Sequence, residues 1–61
     1  MKFGENLKKI RKEKNMSQEQ LAEKVNVSRQ SVSKWETGES YPEMNNILEL
    51  CKIFNCNIND L

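Results

Sequence analysis

Histidine is absent from this chain, and with it the commonest metal ligand and the commonest general acid–base group. Cysteine is nearly absent too. Cys51 and Cys56 are the only two, so a structural zinc would lack its usual four ligands. No metal and no cofactor is expected, and both thiols are expected to be reduced and partly buried. The single proline and two glycines leave little to interrupt helices. No apolar run approaches the ~20 residues of a membrane span, and no signal-peptide pattern is present. A cytoplasmic setting without membrane contact is the expectation. A chain of 61 residues buries only about 60% of the surface its unfolded form exposes, which leaves no room for a deep catalytic cleft. There is also no nucleophile–base spacing and no glycine-rich phosphate loop, so an enzyme is not expected. Strand alternation, repeats, low-complexity segments and linkers are missing. The reading is one domain, 1–61.

Charge, by contrast, is plentiful and uneven. Residues 1–15 carry six Lys/Arg and two acids, residues 16–37 carry three of each, and residues 38–61 carry one Lys and four acids. The net +1 therefore hides a basic beginning and an acidic end. A basic end on a near-neutral chain points to a side that faces a polyanion. An ordinary solvated helix surface has the same composition.

Helical periodicity runs through the chain. A first helix is expected over about Gly4 to Glu13, with Phe3, Leu7, Ile10 and Lys14 at helical spacing. Asn15 suits the left-handed conformation that ends a helix. A second helix opens at Ser17, which forms a capping box with Gln20, and presents Leu21, Ala22 and Val25. Asn26 occupies the turn. A third helix opens at Ser28 and ends before Gly38. A fourth spans about Glu43 to Phe54, with Met44, Ile47, Leu50, Cys51 and Phe54 on one side. Ile58–Leu61 begin a final helical turn. The fold class is all-α, five short helices around one core.

The stretch from Ser17 to Gly38 carries the most information about function. On a wheel at about 100° per residue with Ser28 at zero, Val32 and Trp35 fall at ~40° and ~340° and must be buried. Arg29, Ser33, Gln30 and Lys34 fall at ~100°, ~140°, ~200° and ~240° and form one outward face. Arg and Lys suit the two acceptors of guanine, Gln pairs bidentately with adenine, and Ser serves either. Around this face, Ser17, Gln18 and the N-terminus of the second helix suit phosphate oxygens, as does Thr37 at the far end. Glu36 falls at ~80°, beside Val32. With Arg11, next to Ile10, it is placed either to clamp the first helix to the third or to remain one of two independent solvated charges.

These residues together resemble the phage repressor/Cro-type (XRE-like) helix-turn-helix regulators. Leu21, Ala22, Val25, Val27, Val32 and Trp35 stand at the family's steps through Gln18 to Thr37. Residues 35–38, WETG, and the later YPEMNNILELCKIFN match its following helices. The resemblance implies a compact lambda-repressor-like bundle and a sequence-specific, double-stranded DNA-binding regulator, a repressor acting as a homodimer. Its base readers match Ser28, Arg29, Gln30, Ser33 and Lys34, and its phosphate contacts match Ser17, Gln18 and Thr37. Its helix 1–helix 3 ion pair matches Arg11 and Glu36. Asn26 departs from the glycine frequent in the family's turn. On the fourth helix, Ile53 falls more than about 100° from Ile47 and is expected to be exposed as a dimer contact. The alternative reading is an antitoxin or antirepressor that uses the same scaffold to bind protein, with a toxin or a sensor domain as partner.

Overall fold

The computed structural model describes residues 2–61. Four α-helices follow in order: α1 Lys2–Glu13, α2 Gln18–Val25, α3 Arg29–Thr37 and α4 Met44–Phe54. The expected fifth helix is a single 3₁₀ turn, Ile58–Asp60. The described residues contain no strand, and none of their helices is long and apolar enough to cross a membrane.

The boundaries follow from side-chain chemistry. Ser17 Oγ accepts from the Gln20 amide at 3.0 Å, and Gln20 Oε1 accepts from the Ser17 amide at 2.8 Å, closing the capping box that starts α2. Ser28 Oγ accepts from the Ser31 amide at 3.1 Å and starts α3. Three helices end alike. Asn15, Asn26 and Asn55 adopt left-handed backbone, φ 58°, 66° and 53°. Beyond each, an amide reaches back to a carbonyl five residues earlier: Met16 to Arg11, Val27 to Ala22 and Cys56 to Cys51. Asn tolerates this conformation better than other side-chain-bearing residues, so it replaces glycine here. Gly38 ends α3 at φ 88°.

Each helix sends one fully buried residue to the centre: Leu7, Leu21, Val32 and Leu50. Phe3, Ala22, Val25, Trp35 and Phe54 complete the cluster. Truncating any of these leucines to alanine is expected to cost about 2–5 kcal/mol. α3 packs against both α1 and α2, while α4 packs against α2 and the C-terminal turn. The chain end returns to α1, where Asn6 Nδ2 donates to the Leu61 carbonyl at 3.3 Å.

Three expectations about burial need correction. Lys14 is exposed, the apolar stripe of α1 ending at Ile10. On α4, Met44 is 59% exposed, whereas Ile53 is half-buried and packs on the core. The reason is where the stripe is centred. Leu50 and Phe54 are the deepest residues and lie about 40° apart, so the buried side centres between them. Ile53 then falls about 80° from that centre, Met44 about 100° and Leu48 about 140°. Leu48 is accordingly 53% exposed.

Candidate nucleic-acid interface

Two features fix α3 against α1. The first is Gly4. A Cβ added there would lie 2.6 Å from the carbonyl oxygens of both Trp35 and Glu36. Backbone cannot yield as a flexible side chain can, so only glycine lets the two helices cross this closely. The sequence carried a trace of this, since a glycine inside a helical pattern often has a packing reason.

The second feature is a buried ion pair. Arg11 Nε donates to Glu36 Oε2 at 2.6 Å and Arg11 Nη2 to Glu36 Oε1 at 3.1 Å. The two side chains are only 8% and 3% exposed. Arg11 Nη1 also donates to the Met16 carbonyl at 2.7 Å, joining the exit of α1 to the same cluster. The polar atoms are satisfied: no buried side-chain nitrogen or oxygen among the described residues lacks a partner. The arrangement is the clamp, not a pair of solvated charges.

Gln18 extends this cluster toward the surface. Its Nε2 donates to Glu36 Oε1 at 3.0 Å, and its Oε1 accepts from Arg29 Nη1 at 3.2 Å. Spacing along the chain offered no hint of this, because the two ends of the contact lie on different helices. One N–H of the Gln18 amide is left over, enough for a single phosphate oxygen.

The remaining candidates divide by position. Arg29, Gln30 and Lys34 are exposed, and Ser33 is half-buried. Gln30, Ser33 and Lys34 make no side-chain hydrogen bond among the described residues. Ser17 and Ser28 are exposed and occupied as helix caps. The Ser28 and Ser31 hydroxyls lie 3.1 Å apart. Thr37, about 180° from Ser28, is at the C-terminal end of the outward face. Its hydroxyl lies 3.2 Å from the Lys34 carbonyl and 3.1 Å from Glu39 Oε1, to either of which it can donate.

Residues 7–61, which include α2, α3 and the turn between them, match the helix-turn-helix family. The chain belongs to that family. The family is one of non-enzymatic, DNA-binding domains, whose second helix enters the major groove. Among its relatives, the transcriptional activator BcrR of Enterococcus faecalis is 46% identical over 61 residues, all of this chain and 30% of that protein. The cryptic phage CTXphi transcriptional repressor RstR of Vibrio cholerae is 34% identical over 61 residues, all of this chain and 54% of that protein. The transcriptional regulator DicA of Escherichia coli is 37% identical over 54 residues, 88% of this chain and 40% of that protein. The chain thus spans between about a third and about a half of the length of these relatives.

Away from this face, Cys51 and Cys56 are free and half-buried at the end of α4. Burial pushes the Cys56 thiol above its ordinary range, and the neighbouring Cys51 adds to the effect.

Proposed function

We propose that this domain binds double-stranded DNA in a sequence-specific manner and regulates transcription, with α3 lying in the major groove. The observation that carries the reading is the division of α3 into two sides. Val32 and Trp35 are buried, whereas Arg29, Gln30 and Lys34 stand exposed, Gln30 opposite the buried pair and Arg29 and Lys34 to either side of it. Nine helical residues extend about 13 Å, and the major groove is about 12 Å wide. In this reading Ser28, Arg29, Gln30, Ser33 and Lys34 meet base edges. Ser17, Gln18 and Thr37 meet phosphates and set the register.

The direction of regulation we propose is repression, by occupation of an operator. RstR is named a repressor and BcrR an activator, so family membership supports regulation more firmly than its sign.

We further propose that two copies act together. The longest extent of the molecule is 24 Å, less than the ~34 Å between half-sites one helical turn apart. Met44 and Leu48, one turn apart on α4 and both exposed, replace Ile53 as the apolar contact for the second copy. The same pair supports the alternative reading, a protein-binding module, if the partner is another chain.

The test is selection of bound sites from random duplex DNA at two salt concentrations. The reading expects one enriched motif and affinity that falls steeply as salt rises. Recovery of no motif, or binding indifferent to salt, would overturn it.

A further inference from the structure

The hydrogen bonds around Gln18 run in one direction. A carboxylate only accepts and a guanidinium only donates. Glu36 Oε1 receives the Gln18 Nε2 amide, so the amide oxygen of Gln18 must face the other way, where it receives Arg29 Nη1. Glu36 cannot turn aside from this duty, because Arg11 holds both of its oxygens and its side chain is 3% exposed. A buried, rigid group thus reaches an exposed arginine through one amide.

We propose that Glu36 is a positioning residue for Arg29: it sets the polarity of the Gln18 amide, which holds the Arg29 guanidinium ready for a guanine. This rests on α3 being the recognition helix. The tether uses one of the five guanidinium N–H groups, which leaves four for the guanine O6 and N7 acceptors. Ordering a long side chain before binding removes a cost otherwise met on the DNA, worth about 2–10-fold in affinity for the correct base. The ion pair therefore has a second consequence besides holding α1 to α3.

Glu36→Gln is the direct variant. Keeping its oxygen on the short bond to Arg11 Nε turns its amide NH₂ toward Gln18 and also toward Arg11 Nη2, which loses its acceptor, so this variant weakens the ion pair as well. The Gln18 amide then flips and presents its own NH₂ to Arg29, donor against donor. Gln18→Met removes the amide and leaves the ion pair intact, which keeps the test open if Glu36→Gln does not fold. Two readouts apply. Side-chain NMR relaxation in the free protein compares Arg29 with Arg11, the only other arginine. Competition against every single-base substitution of the selected site gives discrimination position by position.

The expected result is an Arg29 nearly as ordered as Arg11 in the parent protein and mobile in both variants. Discrimination is expected to fall about 2–10-fold at one position, the one that Arg29→Ala also affects, with the other positions unchanged. Losing the Gln18 phosphate contact lowers affinity for every site alike and cancels in the competition ratio. Discrimination lost equally at all positions, or unchanged discrimination, overturns the proposal. A mobile Arg29 in a parent protein that still selects a motif overturns it and leaves the DNA reading standing. An ordered Arg29 in a parent protein that selects no motif sinks the DNA reading and this proposal with it.

Discussion

Helices α3 and α4 are of similar length, and each buries one apolar stripe, yet they are held and finished differently. α3 is fixed from behind by a backbone contact at Gly4 and by the ion pair of Arg11 with Glu36. Its outward side is wholly polar. α4 is held by apolar packing alone through Ile47, Leu50 and Phe54, and its outer side exposes Met44 and Leu48. Directional contacts fix orientation, and a helix that must present particular donors to particular acceptors needs its orientation fixed. Apolar packing fixes depth and leaves rotation looser. The comparison suggests that α3 is built to aim side chains and α4 to offer surface.

The largest expected break in this contrast is Arg11→Ala. It leaves the Glu36 carboxylate buried without its partner, at a cost of about 3–5 kcal/mol. Domains of this size hold roughly 3–9 kcal/mol in total, so thermal unfolding should show a transition lowered by tens of degrees or lost. An unchanged transition would mean that the pair contributes nothing. Gly4→Ala comes next. The added methyl must push α1 away from the α3 backbone, and a loss of about 1–3 kcal/mol is expected in chemical denaturation, in contrast to the gain that Ala normally brings to a helix.

Variants on the outer faces should separate binding from stability. Gln30→Ala and Lys34→Ala are each expected to leave stability within about 0.5 kcal/mol. Each should cost about 1–3 kcal/mol of discrimination at its own base in competition binding. Met44→Lys with Leu48→Lys should also leave stability nearly unchanged, while sedimentation on a two-half-site duplex shows one bound copy in place of two. The smallest effect concerns Cys56. The thiolate is the reactive form and a raised pKa leaves less of it at neutral pH, so alkylation should be slower than for a free cysteine and should accelerate as pH rises.

Much of the fold was legible because its signals are local. Capping at Ser17 and Ser28, the Asn15 and Asn26 exits and the buried pair Val32 and Trp35 each depend on residues within one or two turns. The Arg11–Glu36 pair was legible only as an alternative on the wheel, sharpened by family resemblance. Gly4 and Gln18 escaped because their partners lie 32 and 18 positions away, on α3, across contacts that no periodicity encodes. Met44 and Ile53 were exchanged because a wheel shows which residues share a side and not where the neighbouring helices place its centre. The final helical turn expected over Ile58–Leu61 is a 3₁₀ turn, Ile58–Asp60, where Asp60 Oδ2 accepts from the Asn57 amide at 3.0 Å and closes a cap over only three residues.

The contrast between α3 and α4 is tested most directly by following backbone and side-chain NMR signals of the whole domain while duplex DNA is added at low salt. The account predicts shifts concentrated at Ser17, Gln18 and Ser28 to Thr37, with the outer side of α4 around Met44 and Leu48 nearly silent until a second copy binds. Shifts centred on α4 with a silent Gln30 and Lys34 would contradict it.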